Sequence, residues 1–310
     1  MESSSRTAAE TATQPSCWRR AAEAAAAASG LPRPGERVAI TGCGTSWFMA
    51  QSYAALREAA GQGETDAFAA SEFPVSRPYD RIVAITRSGT TTEVLELLRA
   101  VRGRGAATLA LTADAKTPVM DAADAVAVLG FADEESVVQT RFATTALAFL
   151  RAGLEAHGAL PAGVKTVAEA AVDAELAVVQ PLPEAALAAE QWTFLGRGWT
   201  YGLALEAGLK MREAAGAWTE AYPAMEYRHG PIAVTGPGRV AWVFGGLPPG
   251  LAGDVDRVGG SLLADSCAAG SLDPMADLIR VQRLAVAVAE SKGYDPDRPR
   301  NLTRSVILPE

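Results

Sequence analysis

The chain has little of what extracellular or metal-bound folds are built from. Its 310 residues include three cysteines, Cys17, Cys43 and Cys267. An odd, scattered set of this kind excludes a disulfide framework and zinc-type spacing, and it predicts a reducing, cytoplasmic setting. No metal or cofactor is expected. Cationic surplus is also missing: 28 Lys and Arg against 36 Asp and Glu leave a net charge of −8. An acidic field attracts neither nucleic acid nor an anionic membrane surface, although a local basic pocket for a small phosphate stays compatible with it. No run of eighteen apolar residues occurs, and the alanine-rich first thirty residues lack a leucine-rich signal core, so neither membrane insertion nor export is expected.

What is present is a 49% hydrophobic chain, long enough for one large or two medium α/β domains. Residues 1–14 are polar and read as a frayed tail, followed by a helix over Pro15–Ala28 closed by Gly30 and the prolines behind it. A strand at Arg37–Thr41 enters the turn Gly42-Cys43-Gly44-Thr45-Ser46, and a helix follows over Trp47–Ala60. The turn lacks the third glycine of a dinucleotide fingerprint and has hydroxyls there, which suit a monophosphate better than a nucleotide. A second strand, Arg81–Ile85, opens into Thr86-Arg87-Ser88-Gly89-Thr90-Thr91 and then into helical spacing at Val94, Leu95, Leu97, Leu98 and Val101. Four hydroxyls and a glycine at a helix start, where backbone N–H groups are unpaired, make a phosphate cradle, and Arg87 adds a cation. The same residues also fit a plain Ser/Thr helix cap with a turn glycine. Strands at Ala107–Thr112 and Ala125–Leu129 and a helix from about Gln139 to His157 complete the alternation. It predicts a doubly wound parallel sheet with ligands outside the carboxyl ends of its strands.

The second half repeats the first. Gly196 stands 154 residues after Gly42, and the same offset relates Thr219 to Thr65 and Glu226 to Glu72. A shared offset across separate segments predicts two copies of one α/β unit, joined through about Pro161–Pro183. The copies differ: the strand Arg239–Phe244 runs into Gly245-Gly246-Leu247-Pro248, without hydroxyls. The second copy instead has Glu206, Lys210 and Glu213 on one face of a helix over Thr200–Ala215, and His229 before Gly230-Pro231. Spacing alone makes the trio a solvated ion-pair stripe. A histidine presented on a turn suits proton transfer near neutrality, and a structural role suits it as well. After a helix over Pro274–Lys292, the proline-braced tail with Arg298, Arg300 and Arg304 reads as an ordered lid bringing positive charge to an anionic ligand.

At these motifs the chain resembles the sugar isomerase (SIS) family, as two domains in tandem over about Glu36–Val306. It is similar to the isomerase half of glucosamine-6-phosphate synthase and, more loosely, to fructosamine-6-phosphate deglycases and galactosamine-6-phosphate deaminase/isomerases. The carriers are Gly42–Ser46, Ala70–Phe73, Ser88–Thr91, Val137–Thr140, Phe194–Gly198, Ala204–Glu206 with Leu209-Lys210, Glu220–Tyr222, His229–Pro231 and Pro299–Leu302. The resemblance implies two flavodoxin-like SIS domains, each a parallel sheet flanked by helices, with boundaries near 36–165 and 166–310. It implies a phosphosugar site lined by Cys43, Gly44, Thr45, Ser46, Thr86, Arg87, Ser88 and Thr91, with Val137, Lys210 and Arg304 as further binding positions. Glu213 would be the base moving a proton between C1 and C2, and His229, donated across a homodimer, would assist ring opening. The chain departs from the synthase in two places. The tail lysine is replaced by Arg304, which stays protonated and forms no Schiff base, and Arg87 replaces an amide, as in the deaminase/isomerase branch. With no glutamine-hydrolysing domain ahead of it, the chain is not expected to be an amide-nitrogen synthase by itself.

Three functions compete on these residues. An enzyme acting on a sugar phosphate or amino-sugar phosphate, by isomerisation or amine release, is favoured by Glu213 and His229. A non-catalytic phosphosugar sensor or regulatory subunit is the alternative. A nucleotide-dependent oxidoreductase would need the full glycine fingerprint that the turn lacks.

Overall fold

The computed structural model describes residues 5–158, 160–265 and 271–309, and Cys267 lies outside them. The chain divides into two compact units. One comprises Thr13–Glu135, Gln139–Ala168 and the tail from Thr303; the other comprises the first twelve residues, Ser136–Val138 and Glu169–Leu302. In chain order the elements are α1 (Arg6–Ala12), α2 (Gln14–Ala26), β1 (Val38–Gly42), α3 (Thr45–Ala59), β2 (Thr65–Ala69), β3 (Arg81–Ile85), α4 (Thr92–Val101), β4 (Ala107–Thr112), β5 (Ala125–Val128) and α5 (Arg141–Ala156). They continue with α6 (Val167–Val179), α7 (Glu184–Leu187), β6 (Gln191–Gly196), α8 (Thr200–Ala215), β7 (Thr219–Pro223), β8 (Arg239–Phe244), α9 (Leu251–Arg257), β9 (Ser261–Ala264) and α10 (Pro274–Ser291).

The unit containing Thr13 is built on a five-stranded sheet of order β2-β1-β3-β4-β5, every pair parallel. Strands β1 and β3 are buried at every position, which is why they read as unbroken apolar runs rather than alternating ones. Helix α4 buries the five residues whose spacing marks it: Val94, Leu95, Leu97, Leu98 and Val101. Helix α2 packs on α5 through Trp18, fully buried, whose indole N–H donates to Thr144 Oγ1 at 3.0 Å. Sheet order matters for function, because reversal of direction beside β1 opens a crevice at the carboxyl edge between β1 and β3.

The other unit has a four-stranded parallel sheet of order β7-β6-β8-β9. Its first three strands stand in the order of β2-β1-β3, and the register agrees with the repeat: Gly196 pairs with Pro223 as Gly42 pairs with Ala69. Helices α8 and α10 pack together. The buried Trp242 of β8 donates to Asp277 of α10 at 2.8 Å.

One expectation is corrected at the amino terminus. Residues 6–12 form helix α1 and bury Thr7, Glu10 and Thr11, where a frayed polar tail was expected. The helix start is capped from far along the chain: the Asp297 carboxylate accepts from Arg6 N at 2.8 Å, from Thr7 N at 2.7 Å and from Thr7 Oγ1 at 2.7 Å. A cap from 290 residues away leaves no local signature. Among the described residues no helix is long and apolar enough to cross a membrane.

Candidate functional site

The two glycine-hydroxyl turns of the first sheet are neighbours. A Cβ on Gly42 would stand 2.6 Å from Ser46 Cβ and 3.0 Å from the carbonyl oxygen of Ile85, so only glycine lets the β1 turn lie against the end of β3. Cys43 is half-buried at this turn, and Thr45 and Ser46 are buried at the start of α3. Burial and, after it, the Glu93 charge push the Cys43 thiol up to about 11. In the second turn Gly89 adopts φ +64°, and a Cβ there would stand 2.9 Å from both Thr117 Cβ and Val119 Cγ1.

The helix-cap reading of the Thr86–Thr91 hydroxyls does not hold in the structure. Thr91 occupies the cap position of α4 and its side chain makes no capping bond. Instead the hydroxyls face one another and the tail. Ser88 Oγ accepts from Thr90 N at 3.2 Å and from Thr90 Oγ1 at 3.0 Å, and donates to Ser305 Oγ at 3.1 Å. Thr90 Oγ1 also lies 3.0 Å from Ser305 Oγ, and Thr86 Oγ1 reaches Thr91 Oγ1 at 3.5 Å. The tail is pinned by backbone as well: Thr92 N donates to Val306 O at 3.3 Å, and Leu308 N donates to Thr92 Oγ1 at 3.0 Å. The hydroxyls are thus held at the mouth of the turn, under Ser305, rather than spent on helix ends.

Arg87 is buried, and its guanidinium stands 3.5 Å from the fully buried carboxylate of Glu134 and donates to Arg304 O at 3.2 Å. Glu134 was not singled out by sequence. Its Oε1 accepts from Thr140 N at 2.6 Å, Thr140 Oγ1 at 2.7 Å and Arg141 N at 2.8 Å, which caps α5. The exposed Arg304 side chain turns to the Asp133 carboxylate and to Glu134 O. One short segment, Asp133-Glu134, therefore fixes the cradle arginine, the start of α5 and the tail together. Val137, half-buried, belongs to the other unit and donates from its backbone to Asp297 O of that same unit at 3.3 Å.

That other unit is arranged differently at the equivalent turn. A Cβ on Gly196 would stand 2.6 Å from Tyr201 Cα and would collide with the Thr200 carbonyl, and Thr200 Oγ1 is consumed locally, accepting from Arg197 N at 2.8 Å and donating to Phe244 O at 2.9 Å. That hydroxyl is spent within the turn and on the adjoining strand. The trio on α8 is no solvated stripe: Glu206 is 0% exposed and Lys210 1%, with Lys210 Nζ 3.5 Å from Glu206 Oε1. Lys210 also donates to Glu213, whose side chain is 19% exposed. Glu213 opens on a cavity of about 440 Å³. His229, at the end of a short 3-10 turn, is exposed and does not line that cavity; its side chain makes no hydrogen bond among the described residues.

Residues 33–153 match the family model of the SIS domain, so the chain carries a SIS domain over the first parallel sheet. It is similar to glutamine–fructose-6-phosphate aminotransferase (isomerizing) of Aeropyrum pernix, 30% identical over 326 residues that cover 91% of this chain and 52% of the relative. The chain spans about half the length of the curated relatives it matches. Among solved structures, glucosamine-6-phosphate deaminase from Thermotoga maritima shares the fold at a TM-score of 0.79 and 22% identity, covering 98% of this chain and all of that one. Tagatose-6-phosphate ketose/aldose isomerase from Escherichia coli does so at 0.75 and 16%, covering 98% and 96%.

Proposed function

We propose that this protein is an enzyme of phosphosugar metabolism that transfers a proton between C1 and C2, as an aldose–ketose isomerase or an amino-sugar-phosphate deaminase or deglycase. The cradle of Ser88, Thr90 and Thr91 with Thr86, Thr45 and Ser46 receives the phosphoryl group, and Glu213 moves the proton. Isomerisation takes a proton from one carbon and returns one to its neighbour through an enediol. Amine release follows the same transfer: the carbon–nitrogen bond becomes an imine, takes up one water and leaves as free amine with a carbonyl sugar. Relatives and neighbours named as aminotransferase, deaminase and isomerase agree with this reading.

The observation that carries it is the buried Lys210 between Glu206 and Glu213, with Glu213 alone of the three open to a cavity. Burying the Glu206 and Lys210 charges on one helix is costly and is retained where it positions a reactive group. The decisive experiment is Glu213→Gln against a panel of glucose, glucosamine, galactosamine and fructosamine 6-phosphates, scoring both ketose formation and released amine. Turnover by wild type and its loss in the variant support the reading; unchanged turnover in the variant removes Glu213 from the mechanism.

A phosphosugar sensor is the second reading, favoured by Ser305 lying on the cradle hydroxyls, since an arriving anion must rearrange the tail. Binding of phosphosugars by wild type without turnover of any of them selects it. We further propose a homodimer in which the exposed His229 serves the site of a second copy.

A further inference from the structure

A second recess lies across the four-stranded sheet from the Gly196 turn, at the edge where the parallel strands β6, β7 and β8 begin. It is a cavity of about 290 Å³ lined by Glu190 and Gln191 at the start of β6, Glu220 of β7, Arg239 of β8, Trp218 and Val234. Trp218 is 81% exposed, whereas Trp18, Trp192 and Trp242 are sealed in the core. An indole left in water on a cavity wall is a ready platform for a ligand. Charge in the recess is unbalanced. Glu190 and Glu220 form no ion pair among the described residues, and Glu220 Oε2 is sealed from solvent without a hydrogen-bond donor. Burial and, after it, the Glu220 charge push the neighbouring Tyr222 phenol up, yet Oε2 stays unbonded. Arg239 does not answer the carboxylates, because its guanidinium donates to Val234 O. Gln191 is spent on Thr193 Oγ1 at 2.9 Å. A carboxylate oxygen taken from water and given no donor is destabilising until one reaches it.

We propose that this recess binds an organic cation, a guanidinium or ammonium group on a short alkyl stem, whose N–H groups meet Glu220 and Glu190 while the Trp218 ring covers its face. A guanidinium suits both walls: it donates to carboxylates as a fork and stacks flat on an indole. The volume lies at the lower end of small-molecule pockets, so one such group fills it. Two unpaired carboxylates repel a sugar phosphate, so the recess is no second phosphosugar site. The same cation can arrive as a small free molecule or as an arginine side chain of a polypeptide.

Calorimetry with the full chain tests the assignment with n-butylguanidinium, n-butylurea as its planar uncharged isostere, and acetyl-Gly-Arg-Gly amide as the polypeptide form. Wild type should bind n-butylguanidinium at least about tenfold more tightly than n-butylurea, the worth of one charge-assisted hydrogen bond. That preference should fall towards one in Glu220→Gln, which keeps the shape. Affinity for the cation should drop about threefold in Trp218→Ala and return in Trp218→Tyr. Trp218 is a surface residue, so its variants should melt with wild type and report on the recess alone. The peptide identifies the source: tighter binding than n-butylguanidinium assigns an arginine of a polypeptide, and no tighter binding assigns a free cation. Equal affinity of wild type for the guanidinium and the urea, or a preference that survives Glu220→Gln, overturns the assignment. Phosphosugar turnover plays no part in the readout, so the recess stands or falls separately from the reading above.

Discussion

Removing the Glu134 carboxylate should damage the cradle unit more than any other single polar deletion near it. The side chain is fully buried, accepts three bonds of 2.6–2.8 Å at the start of α5 and faces the Arg87 guanidinium at 3.5 Å. Glu134→Ala strips the cap from α5, worth about 0.5–2 kcal/mol. It also takes the anionic partner from a buried arginine, where breaking such a pair costs about 3–5 kcal/mol. The two losses share one carboxylate and overlap rather than add, so the expected total is about 3–5 kcal/mol. For a unit of this size each kcal/mol moves the midpoint by roughly 2–4 °C, which puts the fall near 10 °C. Glu134→Gln keeps one oxygen for the α5 donors and loses the charge, and should fall between wild type and alanine. Thermal melts followed by circular dichroism at pH 7.5 read the series. An alanine variant melting within about 2 °C of wild type would refute the argument, since no relaxation around a buried, fully engaged carboxylate restores that much.

Three further outcomes follow from the geometry. Burial pushes the Asp297 carboxyl up, but bonds from Thr7 and Arg6 outweigh it and hold it below the ordinary aspartate range. Its contribution is therefore complete above that range and is lost as pH falls through the lower folded value. Asp297→Ala should cost about 1–2 kcal/mol at pH 7, with the difference from wild type closing in strong acid, as read by denaturant melts across pH. Cys43, raised to about 11 by burial and Glu93, should be about one part in a thousand thiolate at pH 8. Iodoacetamide labelling followed by mass spectrometry should be slow there, and rapid alkylation at pH 8 would contradict its placement. Mixing Glu213→Gln with His229→Ala, each inactive alone, should restore about a quarter of wild-type turnover if the two groups meet across a twofold dimer; no recovery under subunit exchange would place both in one chain.

Local pattern carried much of this molecule. Strands β4 and β8 and helix α8 have the ends that hydrophobic period and glycine punctuation mark, and β1 and β3 could be placed because strands buried on both faces leave unbroken apolar runs. The hydroxyl turn after β3 was visible because its small polar residues and glycine stand together in one short segment. What escaped was long-range. Helix α1 depends on Asp297, Glu134 acts on Arg87 across 47 residues and on α5 after a turn, and Ser305 reaches Ser88 from 217 residues away. No window contains both partners of such a bond, so no periodicity reports it. Burial of Glu206 and Lys210 was hidden for a related reason: an i, i+4 pair has the same spacing whether solvent or a packed helix covers it.

The turns at Gly42 and Gly196 share a backbone solution and differ in where their hydroxyls bond. In both copies a glycine ends the first strand and a hydroxyl begins the next helix, so the free N–H groups of that helix face the same carboxyl edge. In the second copy Thr200 closes the turn on itself by bonding Arg197 N and Phe244 O, and any anion would have to break those bonds to enter. In the first, the turn after the adjoining strand supplies Ser88, Thr90 and Thr91, whose bonds run to one another and to the Ser305 hydroxyl of the tail. A hydroxyl whose partner is replaceable by a ligand oxygen is a binding group, and one whose partner is its own chain is scaffold. By that criterion a soaked phosphate ion should settle under Ser305 and leave the Gly196 turn empty; density at Gly196 would show that capping geometry does not distinguish the two copies.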